Sequence, residues 1–349
     1  MKYALLLTMF AVWILTSCSP TPVSPQATAR PSPSATIEPE AQMWDGMKIP
    51  VECRFSSISP NFDWILYSCK DKLWLAKARD AVNATLVIQD DGLTRTSWSS
   101  DGERFVVGSQ HRDQENNYVA SLWLSKRDTP TEKKLLYQGR SYCDRQFWSP
   151  SGELILAVGG SGKNSDAILI RTDGTGLEPL PPLVIMNWWH GASWSPDSTH
   201  LAYASDYFLE VKDLNVETGV STLVYTQTGD IFIPAWSPDG KMIATLKESF
   251  PDNLVIVDSA SKRVLNIITF PSDWKQSTDL FWSPDSKRIA IQFYRDGHQI
   301  GIVSLPSGEI SEQPVEDLGW VLGWTKDGKS LVARSYEGDQ EIIQAVPVE

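Results

Sequence analysis

The chain has 349 residues and a formal net charge of −12, with 43 Asp and Glu against 31 Lys and Arg. Nucleic-acid binding depends on clustered Lys and Arg, so this acidic balance argues against a nucleic-acid partner. The length alone would allow two domains. The repeats described below favour one large domain, because each repeat only has to pack on its neighbours.

Residues 1–17 have the pattern of a signal peptide. Lys2 is followed by the apolar run Ala4 to Leu15, whose twelve residues are fewer than the about twenty that span a bilayer. The next residues, through Cys18, resemble the lipobox of bacterial lipoproteins, in which the cysteine becomes the lipid-modified first residue. We therefore expect export and a lipid anchor in the cell envelope, at the outer membrane or the cell surface. The sequence does not identify which membrane carries the anchor. An ordinary signal peptide or an uncleaved anchor is the alternative.

Residues 18–42 are rich in Pro, Ser, Thr and Ala and almost free of large apolar side chains. Such a segment buries too little apolar surface to offset the entropy lost on ordering. We expect a disordered tether between the membrane and a folded domain over residues 43–349.

Three cysteines follow Cys18, namely Cys53, Cys69 and Cys143. If Pro60 and Asn61 form the bend of a first hairpin, Arg54 pairs with Cys69, which brings Cys53 and Cys69 close together. An exported protein favours a disulfide in that geometry, leaving Cys143 free. Three buried thiols are the alternative.

The central feature of the sequence is the stretch Trp236-Ser237-Pro238-Asp239-Gly240-Lys241. Proline presets the backbone of a tight turn, the Ser and Asp side chains bond to nearby backbone, and glycine accepts positive φ. Apolar and β-branched runs of strand length lie on both sides. The stretch therefore predicts the bend of a β-hairpin.

This stretch recurs along the chain at intervals of 40 to 50 residues. The repeated tryptophans are Trp98, Trp148, Trp194, Trp236, Trp282 and Trp324, and a degenerate copy begins at Ile58. That spacing is typical of β-propeller blades with four strands each. We therefore predict an all-β protein, a seven-bladed β-propeller of four-stranded antiparallel blades, rather than one of six or eight.

The last repeat offers only three strands before the chain stops. Residues 44–51 lie ahead of the first blade without a partner of their own. Pairing this N-terminal segment with residues 341–346 would remove both exposed sheet edges, so we predict that the N-terminal strand closes the ring.

The Trp-Ser-Pro-Asp-Gly-Lys repeat resembles that of TolB-family propellers, which are similar in style to WD-repeat-like propellers. The resemblance covers residues 54–349 and implies a periplasmic or surface-exposed binding propeller. TolB propellers commonly have six blades and follow an α/β domain that has no counterpart here. The repeat motif carries no catalytic residue.

Catalytic and metal-binding patterns are absent from the sequence. The repeated aspartates, one per blade, are interpreted as turn residues, and the repeated tryptophans as wedges between blades. The four histidines lack the close spacing of metal ligands. We therefore predict no metal, cofactor or catalytic residue.

The face opposite the Asp-containing bends is the better candidate for binding. We call it the loop face, because it carries the connections from the second to the third strand of each blade and from one blade to the next. Aromatic residues and Arg are enriched among interface anchors. Candidates of these types, with two histidines, are Arg140, Trp188, Trp189, His190, Trp274, Arg295, His298 and Trp320.

These observations favour a lipid-anchored, non-enzymatic binding or scaffolding propeller with a protein or peptide partner on the loop face. Two alternatives remain open. One is a metal-dependent propeller enzyme of lactonase or lyase type, and the other is saccharide binding through Trp188, Trp189 and Trp274. The aromatic residues of the loop face could instead only pack on neighbouring loops.

Overall fold

The computed structural model describes residues 47–139, 145–159, 166–179, 192–205, 210–226, 231–247, 253–313 and 318–348. These ranges contain strands and no helix. None of their segments forms a helix long and apolar enough to span a bilayer.

The strands are short and follow one another through tight turns. In chain order they are β1 (Met47–Lys48), β2 (Arg54–Ile58), β3 (Trp64–Cys69), β4 (Lys72–Lys77), β5 (Asp80–Gln89), β6 (Leu93–Trp98), β7 (Arg104–Arg112), β8 (Tyr118–Lys126), β9 (Lys133–Gly139), β10 (Arg145–Trp148), β11 (Leu154–Gly159), β12 (Asp166–Arg171), β13 (Leu177–Pro179), β14 (Ala192–Trp194), β15 (His200–Ser205), β16 (Glu210–Asn215), β17 (Ser221–Thr226), β18 (Ile231–Trp236), β19 (Met242–Lys247), β20 (Asn253–Asp258), β21 (Val264–Thr269), β22 (Lys275–Trp282), β23 (Arg288–Tyr294), β24 (His298–Ser304), β25 (Glu309–Gln313), β26 (Leu318–Trp324), β27 (Ser330–Glu337) and β28 (Gln340–Pro347).

The strands form seven antiparallel sheets of four, which are the blades of a β-propeller. Blades 1 to 6 each use four consecutive strands, from β2–β5 for blade 1 to β22–β25 for blade 6. The first strands of successive blades contact one another, so they form the inner wall of the ring. The predicted fold class and blade number are confirmed.

Blade 7 consists of β26, β27 and β28 completed by β1, which confirms the predicted closure. Met47 pairs with Ile343 in the antiparallel register. The Ile49 backbone N–H also donates to the Glu341 carbonyl at 3.0 Å. Met47 and Ile49 are buried in a cluster with Ile65 of blade 1, so closure also joins the first and last blades through apolar contact. Each such buried side chain stabilises the fold by about 1.5–3 kcal/mol.

The repeated tryptophans end the first strand of their blades and join neighbouring blades. Four of the six indole N–H groups donate to a backbone carbonyl of the preceding blade. In each case the acceptor is the residue directly before that blade's own repeated tryptophan. These bonds are Trp148 to Ser97 (3.2 Å), Trp194 to Phe147 (3.0 Å), Trp282 to Ala235 (3.1 Å) and Trp324 to Phe281 (2.9 Å). Buried indoles normally satisfy this polar group. The structure thus supports the interpretation of the tryptophans as wedges between blades.

Cys53 and Cys69 form a disulfide bond with a Cα separation of 4.3 Å. The register of the first hairpin differs by one residue from the sequence expectation, because Arg54 pairs with Ser68 and not with Cys69. A β-bulge at Ser56 causes the shift. A bulge sets two residues of one strand against one of its partner. The shift places Cys53 directly opposite Cys69. Cys143 lies outside the described residues.

Candidate functional site

The Ser-Pro-Asp bends form one face of the ring, and their polar side chains are occupied by the turn itself. In blade 6 the Ser283 hydroxyl donates to Asp285 at 2.6 Å and accepts the backbone N–H of Arg288 at 2.8 Å. The Lys287 backbone N–H donates to the same carboxylate at 3.1 Å. The fourth turn residue, Ser286, has a positive φ of 59°, a conformation that glycine adopts more readily.

The bond from Ser283 and then that from Lys287, aided by the charge of Arg288, hold the pKa of the Asp285 carboxyl below its usual range, although burial opposes them. The same hydroxyl-to-carboxylate bond is present in four other blades. The pairs are Ser99–Asp101, Ser195–Asp197, Ser237–Asp239 and Thr325–Asp327. The repeated aspartates are therefore turn residues, as the sequence indicated.

A cleft of about 580 Å³ opens between blades 4 and 5 on this bend face. At its wall the Asp213 carboxylate contacts His200 Nδ1 at 2.9 Å and Lys262 Nζ at 2.7 Å, and its side chain is only 4% exposed. Asn215 lies 3.3 Å from the other imidazole nitrogen. Since Asp213 in blade 4 contacts both His200 of its own blade and Lys262 of blade 5, this cluster joins the two blades.

On the loop face, the structure places Trp274 in the core of blade 6. Its side chain is 2% exposed and stacks on Phe293, with ring centroids 3.8 Å apart. Its indole N–H donates to Glu312 at 2.9 Å. Trp274 was expected among the partner-binding residues of the surface. The strands of its own blade enclose the ring, so it is a packing residue.

Arg295 lies over the same cluster and is held by two carboxylates. Its guanidinium contacts Glu312 at 2.5 Å and Asp273 at 2.8 Å. Glu312 and, less strongly, Asp273 raise the pKa of Arg295 above its ordinary value. The guanidinium carbon lies over the Phe293 ring, 5.6 Å from its centroid, and the charge of Arg295 is already balanced within the blade.

A second group on the loop face joins blades 6 and 7 and is exposed. His298 lies between Tyr294 and Trp320, with ring centroids 6.0 Å and 4.6 Å from them. Tyr294 is 46% exposed and Trp320 is 41% exposed. Burial lowers the pKa of the His298 imidazole below its ordinary value, which favours the neutral form of the ring. We call Tyr294, His298 and Trp320 the aromatic platform.

The structure thus brings together two of the sequence candidates, His298 and Trp320, whereas Trp274 is buried and Arg295 is paired with carboxylates of its own blade. The candidates Arg140, Trp188, Trp189 and His190 lie outside the described residues, as does Cys18. The sequence analysis did not name Tyr294 as a candidate. The repeat alignment could have indicated it, because it places Tyr294 at the end of the second strand of blade 6, next to the loop face.

One cluster of metal-ligand type is present among the described residues. Ligand atoms of Asp90, Asp91 and His111 lie within 4.8 Å of one another on the loop face. His111 directs one nitrogen to Asp90 at 2.7 Å and the other to Asp91 at 3.5 Å. Asp91 is 88% exposed. The contacts of the imidazole with both carboxylates hold these side chains together, and exposed acidic groups of this kind are common without an ion.

Fold and surface together define a seven-bladed β-propeller with an exposed aromatic group on one face. Comparison with known sequences is sparse. No protein-family model matches the chain. An uncharacterised protein of Agrobacterium fabrum is 28% identical over 157 residues, which make up 42% of this chain and 48% of that protein. The match therefore spans about half the length of that relative.

Solved structures share the propeller fold at low sequence identity. An oligogalacturonate lyase in complex with manganese has a TM-score of 0.66 at 12% identity, over 86% of this chain and 91% of that one. Hydrazine synthase of Kuenenia stuttgartiensis has a TM-score of 0.58 at 16% identity, over 86% and 98%. A putative TolB of Agrobacterium tumefaciens has a TM-score of 0.50 at 17% identity, over 76% and 95%. These likenesses establish the fold, including its similarity to TolB-like propellers.

Proposed function

We propose that this chain is an exported, lipid-anchored β-propeller that acts as a non-enzymatic binding module for a protein or peptide of the cell envelope. The single observation that carries the binding role is the aromatic platform. Large aromatic side chains at a surface lose little conformational entropy on binding and are enriched among the residues that dominate interface energies. Tyr294 and Trp320 are both more than 40% exposed.

The lipid anchor and export are supported by different observations. The residues up to Cys18 resemble a lipobox, and residues 18–42 have the composition of a tether. The disulfide between Cys53 and Cys69 is consistent with an oxidising compartment, because disulfides persist mainly in exported proteins. Mass spectrometry of the mature protein tests the anchor. We expect a diacylglycerol-modified Cys18 and an unmodified product from Cys18→Ala; a wild-type chain without lipid would contradict the proposal.

Selection from a random-sequence peptide display library tests the binding role. The full chain is immobilised, and enriched peptides are measured against wild type, Trp320→Ala and Leu265→Ala. Leu265 is a suitable control because it is 56% exposed on β21, away from the platform. We expect Trp320→Ala to weaken binding at least about tenfold, the equivalent of one good interface contact, and Leu265→Ala to leave it unchanged. Failure to enrich any peptide, or equal binding by Trp320→Ala, would overturn the role.

A further inference from the structure

Two arginines and one aspartate occupy equivalent places on the inner wall of the ring. Arg95, Arg145 and Asp279 each stand three residues before the repeated tryptophan of their blade, on β6, β10 and β22. The first strands of successive blades form the wall of the central channel. The tryptophans end these strands on the bend face. Three residues further back, about 10 Å along a strand, the chain is nearer the loop face.

Arg95 and Arg145 hold equivalent positions on β6 and β10, the contacting first strands of blades 2 and 3, which places their charges near each other. Burial, followed by the positive charge of Arg95, lowers the pKa of the Arg145 guanidinium, while Asp279 partly offsets this effect. Neither arginine donates a hydrogen bond or forms an ion pair of short range with another residue that the structure describes. This differs from Arg295, whose charge is balanced by two carboxylates.

An arginine pair of this kind is poorly stabilised by the protein alone. Like charges at neighbouring positions repel each other, and the half-buried Arg145 guanidinium, which has no hydrogen-bond acceptor among the described residues, loses hydration. A carboxylate placed between them would remove both costs, since guanidinium groups bind carboxylates through paired, charge-assisted hydrogen bonds. The positive charge is confined to this part of the channel, since the chain as a whole carries a formal charge of −12.

Trp320 stands at nearly the same level of the channel, four residues before Trp324 on β26. The aromatic platform therefore borders the channel at blades 6 and 7, because Trp320 belongs to the first strand of blade 7. Arg95 and Arg145 lie on the side of blades 2 and 3. A ligand that crosses the mouth would meet both groups.

We propose that the peptide segment bound on the loop face is acidic, and that it places an Asp or Glu carboxylate against Arg95 and Arg145 in the channel. This inference rests on the proposed binding function and specifies its ligand class. Attraction to the protein as a whole cannot produce such binding, because a polyanionic peptide is repelled by the net charge.

The probe is a fluorescently labelled hexaglutamate peptide, compared with hexaglutamine by fluorescence anisotropy on the full chain. We expect hexaglutamate alone to bind. Arg95→Gln and Arg145→Gln should each weaken it about tenfold, and added salt should weaken it as well. Arg263→Gln is the matched control, because this substitution removes the same charge and Arg263 is exposed, next to the start of β21. Arg95 is exposed and Arg145 half-buried, so Arg95→Gln gives an independent reading if Arg145→Gln misfolds.

The outcomes separate this inference from the function on which it rests. Peptides that depend on Trp320 but carry no Asp or Glu, and that bind Arg95→Gln as well as wild type, would overturn the acidic ligand and leave the binding role intact. Competition by free succinate at the concentrations at which hexaglutamate binds would show a small dicarboxylate site and would also overturn it. Enrichment of acidic peptides that both Arg variants fail to bind would support it.

Discussion

The indole ring of Trp274 covers Gly301 so closely that a Cβ atom on this glycine would overlap the ring. Gly301 is in β24, and Trp274 precedes the first strand of the same blade. The glycine therefore provides the space in which Trp274 stacks on Phe293 and reaches Glu312. This relationship explains why a tryptophan predicted on the surface is buried.

We expect Gly301→Ala to lower the free energy of unfolding by about 1–3 kcal/mol, the usual cost of overpacking a core. Urea unfolding followed by tryptophan fluorescence measures it. Gly176→Ala is the control, because a Cβ atom there has no neighbour within 4 Å. Equal stability of the two variants would show that Trp274 moves aside without cost.

Two repeated tryptophans allow a direct test of the bond between blades. The Trp282 indole N–H donates to the Ala235 carbonyl, whereas the Trp236 indole nitrogen is buried without a hydrogen-bond partner among the described residues. Both side chains are half-buried. Substitution by phenylalanine removes the indole N–H and a similar ring area at both positions, but only Trp282→Phe breaks a hydrogen bond. We expect Trp282→Phe to cost about 1 kcal/mol more than Trp236→Phe in urea unfolding. Equal costs would assign the stabilisation to ring packing alone.

The disulfide of blade 1 closes a loop with a sequence separation of 16 residues. A closed loop of that size restricts the unfolded chain and stabilises the fold by about 3 kcal/mol. We expect the double variant Cys53→Ser, Cys69→Ser to lose about this amount in urea unfolding. Reductant should destabilise the wild type by a similar amount and leave the double variant unchanged. A response of the double variant to reductant would point to a different disulfide.

The turn aspartates predict how stability depends on pH. The pKa of Asp285 is lower in the folded chain than its unfolded value of about 3.9. A lowered folded pKa contributes stability that is fully present above the unfolded pKa and is lost as the pH falls through the folded pKa. We therefore expect Asp285→Asn to be less stable than wild type at pH 7 and the difference to shrink below about pH 4.

Blade 1 indicates that asparagine keeps the geometry of this turn, since Asn61 accepts the Ser59 hydroxyl at 2.7 Å. Asp285→Asn thus tests charge more than shape. Urea unfolding of both proteins between pH 3 and pH 7 is the measurement. A stability difference that stays constant over this range would show that the carboxylate charge contributes nothing.

The sequence predicted the features that depend on local chemistry repeated in every blade. The turn residues, the tryptophan wedges, the blade number and the pairing of the last strands with the first all follow from the repeat and from the number of unpaired edges. The position of Trp274 does not. Its partners Phe293, Gly301 and Glu312 lie on three other strands, and only their assembly decides that the ring is enclosed.

The predicted register of the first hairpin was wrong by one residue, because the residue types in this strand do not indicate the bulge at Ser56. The inner arginines are an intermediate case. Aligning the repeats on their tryptophans places Arg95 and Arg145 at equivalent positions, but the contact of their strands, and the lack of a hydrogen-bond partner for either among the described residues, required the structure. Tyr294 likewise becomes a neighbour of Trp320 only through the contact of both rings with His298.

The pairing of Met47 with Ile343 also has a consequence for the order in which the protein folds. Blades 1 to 6 are each built from one continuous segment, so each can form once its own residues are available. Blade 7 forms only when both ends of the domain meet. Bringing these ends together has the largest loop-closure entropy cost in the domain. Synthesis delivers the N-terminal partner first and the C-terminal partner last. Until the final strand arrives, the first strand of the domain has no edge to occupy, and closing the ring is the last step of assembly.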